Sequence, residues 1–429
     1  MNRVFSIVWN DSQQVWAVVS EMARHGRKST TNTGSHLKSE STRRVPALLT
    51  RQHLPVLTAC GVRSLMGATA MTGTALALVG IGLESARAQT VGPGNLASTV
   101  IVNTGTTTIV GGTNVSTATG AGAQVGGGTL VIDPAAGPAP GPITITTSGL
   151  GAGASGLFLS GPGSMIVNPG VTINTTGTGY GVRLSNAAAI AQLNGTSISP
   201  ISISTVGATT YAVLLNISGA TATFNHASLL TTGSGSNVVN INNGAVATVN
   251  LIDTSITATG SNARGVHLEV AGDRATLQRV TINTAGGNGI FSNRGIVDIS
   301  DSSITAGGTA GIGIQANGGT LVGNRISVVT NGAGGSHGIF AHAGATVTLD
   351  QATVRSSSAT GIYVTDVGTT LSATNIDVMS GGGTEGGVRV QSGAQGSMTG
   401  GRIETSGTSN PALSRPASIQ RSRATTWRW

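Results

Sequence analysis

The chain predicts an all-β fold, a parallel β-helix (β-solenoid) of about 26 residues per coil behind a presequence, on three observations. The first is a unit of Gly or another small residue, an aliphatic, any residue and usually a second aliphatic. It recurs as Gly156-Leu157-Phe158-Leu159, Gly181-Val182-Arg183-Leu184, Gly265-Val266-His267-Leu268, Gly311-Ile312-Gly313-Ile314, Gly361-Ile362-Tyr363-Val364 and Gly387-Val388-Arg389-Val390, with looser copies at Val213, Val239, Ile290 and Ile339. The first aliphatics of these copies lie 22 to 31 residues apart. The second is an independent column with the same mean spacing: Ile145, Ile173, Ile203, Leu229, Ile256, Ile282, Ile304, Ile326, Val354, Ile376 and Ile403. It sits in short runs such as Val280-Thr281-Ile282-Asn283. The third is punctuation, because 66 glycines, with Asn and Ser, break the chain into runs of four or five residues that alternate with period 2. Two phased columns imply a coil of two or three strands, each unable to bury its apolar face alone and therefore stacked on its neighbours. Ten or eleven coils at roughly 4.8 Å each make a rod about 50 Å long. A disordered low-complexity tract shares the composition but has no reason to keep aliphatics in phase.

Taken in order, residues 1 to 28 form the first element. Met1, Asn2, Arg3, Phe5, Val8, Trp9, Asn10, Trp16, Val18, Val19, Ser20, Glu21, Ala23, Arg24 and Lys28 fill a pattern of Met-Asn-Lys/Arg, an aromatic, Ile/Val-Trp-Asn, Trp-x-Val-Val-Ser-Glu and a basic run. The stretch resembles the extended signal peptide region of type V secretion, which autotransporters and the exported partners of two-partner secretion systems carry. Residues 29 to 88 are read as a linker and Sec signal peptide. Arg43, Arg44, Arg51 and Arg63 precede the uncharged run Leu65 to Leu83, and the small-x-small site Ala86-Arg87-Ala88 follows it, with cleavage after Ala88. A transmembrane anchor competes for those nineteen residues. The richness of the run in Gly, Ala and Thr, and the cleavage site directly behind it, favour a signal peptide.

Cleavage changes what the composition means. The formal charge of +8 suggests nucleic acid, but ten Lys/Arg against four Asp/Glu lie in residues 1 to 88, and Arg415, Arg421, Arg423 and Arg428 lie in the tail. The body, residues 89 to 410, holds nine Arg, eleven acids and no Lys, so a nucleic-acid partner is not expected. The single cysteine, Cys60, also falls in the presequence. A mature chain without cysteine cannot form disulfides in an oxidising periplasm before crossing an outer membrane.

Residues 89 to 410 are the predicted solenoid, with less regular early coils to about residue 140 and a loop at Pro134 to Pro142. A right-handed parallel β-helix behind an extended signal peptide is similar to the passenger domain of a pertactin-like autotransporter. The resemblance implies a surface adhesin or virulence factor of the pectin lyase-like fold, exported by the Sec translocon and an outer-membrane translocator barrel. Residues 411 to 429 lose the column, lack Gly and gain Arg and two Trp, which reads as a frameshifted or truncated end. The barrel of the family is missing from the chain as written. The expected location is the cell surface or medium for an intact parent and the periplasm for a truncated one.

No catalytic, cofactor or metal set is predicted. A β-helix polysaccharide lyase or hydrolase needs converging carboxylates. The nearest approach is Asp298 and Asp301 beside Arg294, read as solvent-facing, while Ser336-His337-Gly338 only faintly echoes a polygalacturonase turn. His226, His267, His337 and His342 show no metal spacing. One pattern remains. If the first-column aliphatics point inward, the residue between each pair points out, giving Phe158, Arg183, Leu214, Asn240, His267, Phe291, Gly313, Phe340, Tyr363 and Arg389. The candidate binding stripe is Phe158, Arg183, His267, Phe291, Phe340, Tyr363 and Arg389, suited to a host glycan or surface protein. The competing reading turns Phe291 and Phe340 into the core or under a loop. The predicted function is thus a secreted passenger acting as an adhesin, with the polysaccharide enzyme, the two-partner exoprotein and a non-functional fragment as alternatives.

Overall fold

The computed structural model describes residues 5–10, 15–20, 88–406 apart from 152, 243–245 and 382–385, and two short strands at 413–414 and 427–428. Phe5–Asn10 and Val15–Ser20 pair antiparallel, with Trp9 opposite Trp16. The apolar run Leu65 to Leu83 and Ala86 lie outside the described residues. Ala88 is exposed and directly precedes the first solenoid strand, Gln89–Val91. Among the described residues no helix is long and apolar enough to cross a membrane.

The body is all-β and built of parallel strands, three to a coil. In one coil they are strand a, Val182–Leu184; strand b, Ile190–Asn194; and strand c, Ile201–Thr205. Strands a stack into a thirteen-stranded sheet that runs from Val100–Val102 to Leu413–Ser414. Strands b and c stack beside it and fuse in the last coils into Thr370–Ser380 and Gln395–Thr405. The alternation buried-intermediate-buried within each strand sends one residue in two toward a continuous aliphatic core. The tail adds to this stack. Leu413 lies in register with Val388, and Trp427–Arg428 pairs antiparallel with Ser397–Met398.

Register corrects three members of the predicted columns. Ile314, not Ile312, sits between Ile290 and Ile339, and Val328 and Val378 replace Ile326 and Ile376 in the c column. Each error is a choice between aliphatics two residues apart, which share a face in a period-2 strand and satisfy the pattern equally. Ile326 and Ile376 are nonetheless buried, at the corner just before strand c. Gly313 therefore leaves the outward series and Gln315 enters it. The early coils are also more regular than expected, since Val100, Ala123 and Leu157 are in register, as are Val115 and Ile145. The loop at 134–142 falls where the prolines predict.

The glycine before the first inward aliphatic is demanded by packing. A Cβ on Gly156, Gly181, Gly265, Gly289, Gly313, Gly338 or Gly361 would lie 2.3–2.5 Å from a γ carbon of Ile173, Ile203, Ile282, Ile304, Val328, Val354 or Val378, the c-column residue of the same coil. It would also lie 2.4–2.8 Å from a backbone oxygen of the next coil. The two predicted columns are thus one device, in which each branched c-strand side chain fills the space that its glycine leaves empty.

The corner from b to c is uniform. From Phe224 and Leu229 to Met398 and Ile403, eight coils place their b and c core residues five positions apart, whereas Leu193 and Ile203 of an earlier coil are ten apart. The residue two after the b-strand core position is His226, Asp253, Arg279, Asp301, Arg325, Gln351, Asn375 or Gly400, all left-handed with φ between 49° and 70°. For non-glycine residues this conformation costs about 1–2 kcal/mol each. The ladder offsets it, because the corner N–H of each residue from His226 to Gln351 donates to a carbonyl of the next coil. Arg279 holds Asp253 through two hydrogen bonds of 2.6 and 2.8 Å, and Arg325 holds Asp301 likewise. Both carboxyls lie below the usual range because the guanidinium beside each bonds its charged form. Exposed Gln351 makes no such pair, so Gln351→Gly should raise stability by up to about 1 kcal/mol in urea unfolding by relieving left-handed strain. A loss of stability would show that the Gln351 side chain anchors the corner.

Candidate ligand-binding face

The outer surface of sheet a carries three adjacent columns. The central one reads Gln124, Phe158, Arg183, Leu214, Asn240, His267, Phe291, Gln315, Phe340, Tyr363 and Arg389 in unbroken parallel register. All seven predicted stripe residues therefore lie on one line. Phe291 and Phe340 are half-buried on the outer side of their strands, between inward Ile290 and Ser292 and inward Ile339 and Ala341. They do not turn into the core. Leu214, Asn240 and His267, in mid-column, are buried beneath their neighbours.

A second column was not predicted. The residue three before the central one, preceding the Gly, Ala or Val that opens the unit, includes Tyr180, Tyr211, Asn237, Arg264, Asn288 and His337. The sequence signal is an aromatic, amide or basic residue immediately before the small residue that opens the unit. With these, six of the seven aromatic residues of the body share one face, and the seventh, Phe224, is fully buried in the core. The third column, two residues after the central one, is a polar ladder of Ser185, Asn216, Glu269, Asn293, Asn317, His342 and Gln391. Ser185 donates to Asn216 at 2.6 Å and Asn317 to Asn293 at 3.0 Å.

Rings and guanidiniums stack along the ladder. Tyr180 and Tyr211 are 5.4 Å apart at 7°, and Phe340 and Tyr363 are 5.0 Å apart at 13°. His342 also stacks with Phe340, at 4.5 Å and 17°. Arg183 lies over Phe158 at 4.8 Å, Arg264 over Phe291 at 4.5 Å and Arg389 over Tyr363 at 5.2 Å. Gln391 bridges the last pair, accepting from Arg389 at 2.8 Å and donating to the Tyr363 hydroxyl at 2.6 Å.

Burial shapes the ionisation of this face. It pushes His267 down to about 3, helped by the charge of Arg264, so the ring is neutral and its Nδ1–H donates to Asn240 Oδ1 at 2.8 Å. Burial also lowers His342 and raises Glu269. Asp273, completely enclosed, is raised to about 6 by burial while it accepts N–H bonds from Val270 and Ala247.

These two buried groups oppose each other on acidification. Below pH 6.5 the unfolded chain protonates His267 while the folded chain resists until about 3, so its contribution drains away as the pH falls. Asp273 takes up its proton in the folded chain near pH 6, above its ordinary 3.8, so acidification from 6 to 4 favours the fold. Relative to the parent chain, urea unfolding between pH 6 and 4 should show His267→Asn gaining roughly 1–2 kcal/mol and Asp273→Asn losing a similar amount. Shifts of the same sign in both variants would refute the assignment.

Other predicted sites fall elsewhere. His337 packs beside rings of the outer face, at 5.6 Å from Phe340 and 5.1 Å from Tyr363. Asp298 pairs with Arg274 and Asp301 with Arg325, so neither gathers around Arg294. Among the described residues no three His, Cys, Asp or Glu converge as a metal site.

The family model of the Extended Signal Peptide of Type V secretion system matches residues 1–50, running past the 28 residues whose motif points to it. No curated protein and no solved structure matches the chain. The matched signal implies export through Sec and a translocator partner. An extended signal peptide of type V secretion at the amino terminus and a parallel β-solenoid behind it make the chain consistent with an autotransporter passenger.

Proposed function

We propose that this chain acts as a surface adhesin, by presentation rather than turnover. The single observation that carries the reading is the concentration of aromatic rings and arginines on the outer face of sheet a, in a body where aromatics are rare. A stiff ladder holds that face in fixed register, which limits the ordering cost of binding. The carboxylates support a non-enzymatic role. Glu269 stands alone among the three columns, Asp273 is sealed behind backbone N–H groups, and Asp253, Asp298 and Asp301 are each held by an arginine.

The test co-expresses the chain with a type V translocator in a Gram-negative host, confirms display by protease shaving and counts adherence to epithelial monolayers. Phe340→Ser with Tyr363→Ser should lower adherence at least tenfold while the displayed chain keeps its protease resistance. Unchanged adherence with lost protease resistance would assign these rings to packing alone.

A further inference from the structure

We propose that the ligand of this face is an extended acidic polysaccharide, a chain bearing carboxylates or sulfates that lies along the stack of coils. The inference rests on the adhesive reading above and specifies its chemistry. Rings 5.0 and 5.4 Å apart at 13° and 7° are stacked face to face, since coplanar neighbours could not approach so closely. Their planes therefore lie across the ladder and their edges point outward. Each of these rings has a face occupied, by another ring or by the guanidiniums of Arg183, Arg264 and Arg389. A neutral sugar that stacks on an open ring face therefore competes with these neighbours. What the surface offers is the positive edge of each ring quadrupole and the charge of three stacked guanidiniums, a group whose planar fork suits carboxylate and sulfate oxygens.

Charge agrees. The three columns hold Arg183, Arg264 and Arg389 against Glu269, whereas the body as a whole has nine Arg against eleven acids. The positive charge is thus concentrated where the rings are. Asp366, which receives the N–H of Ala343, borders the face near His342. The amides of Asn216, Asn293, Gln315, Asn317 and Gln391 sit on the same surface and suit sugar hydroxyls. The geometry also repeats once per coil, about 4.8 Å, close to the advance of one sugar residue along an extended chain. The corner column on the far side carries arginines too, but Arg279 and Arg325 are held bidentately by Asp253 and Asp301 and present neutral pairs.

The experiment titrates the exported chain with dextran sulfate, hyaluronan and neutral dextran, following binding by calorimetry at 50 and 300 mM salt. Both acidic polymers should bind, neutral dextran should not, and affinity should fall at least tenfold across that salt range. The triple variant Arg183→Gln, Arg264→Gln, Arg389→Gln should bind at least tenfold more weakly, and Arg279→Gln with Arg325→Gln as tightly as the parent. Equal binding of neutral dextran, or no binding of either acidic polymer, overturns the proposal without any variant. So does a loss produced by replacing the four tail arginines but not the three on the face. If adherence persists in the triple variant, the adhesive reading stands and the polysaccharide fails; if acidic polymers bind but displayed cells do not adhere, the reverse holds.

Discussion

Valine in place of Gly289 is expected to cost the solenoid about 3 kcal/mol or more. Its Cβ alone would stand 2.3 Å from Cγ2 of Ile304 and 2.6 Å from the carbonyl oxygen of Gly313. That oxygen accepts the N–H of Ile290 at 3.0 Å, so moving it opens the rung that joins two coils. Because each coil is stabilised mainly by its neighbours, the damage spreads along the stack rather than staying in one turn. Urea unfolding followed by far-ultraviolet circular dichroism measures it. Gly153→Val is the control: nothing lies within 4 Å of its Cβ, and the change should stay within about 0.5 kcal/mol. Equal effects at the two glycines would mean that the close approach at Gly289 is not what holds the column to glycine.

Phe224→Ala should cost about 3–5 kcal/mol, the range for emptying an aromatic site in a closed core. Phe224 is 0% exposed and stands in the b column between Leu193 and Leu251. The column beside it runs Ala191, Ala222 and Val249, so a small residue in its own rung leaves room for the ring. The contrast is Phe158→Ala, on the outer face under Arg183, where the same truncation should cost no more than about 1 kcal/mol in urea unfolding. Similar costs at both positions would place Phe158 in the packing rather than on a presented surface.

Much of the fold could be read from residue spacing because two of the three columns are aliphatic and phased. The third could not. Strand b is filled by Ala191, Ala222, Ala275, Met165 and Phe224 as readily as by Val or Leu, so no single residue class marks it. The misplaced members at Ile312, Ile326 and Ile376 have a common origin, because spacing fixes the face of an alternating strand but not which of two like residues meets the neighbouring coil. Register is settled between coils, by hydrogen bonds that a single chain of letters does not display.

The candidate face was half legible. Its central column follows from alternation once the inward residues are known, and Phe158, Arg183, His267, Phe291, Phe340, Tyr363 and Arg389 all fall on it. Tyr180, Tyr211, Arg264 and His337 lie outside the alternating strand, each before the small residue (Gly181, Ala212, Gly265, Gly338) that opens the unit, so alternation alone does not assign them a face. Contacts 23 to 31 residues apart, from Phe340 with Tyr363 to Tyr180 with Tyr211, needed the coil length at each step. The corner ladder was illegible for another reason. His, Asp, Arg and Gln are not residues that announce a left-handed backbone, and only their common φ reveals them as one series.

That corner also decides where the molecule is free to change. With the b-to-c step held at five residues through eight coils, every difference in coil length from Phe224 onward falls on the two remaining bends. Both of those bends border sheet a. The protein therefore has an invariant keel and an editable margin, and the margin frames the aromatic face. Loops can lengthen, shorten or change composition there without moving a rung, so the frame around the candidate face can vary while the stack stays the same.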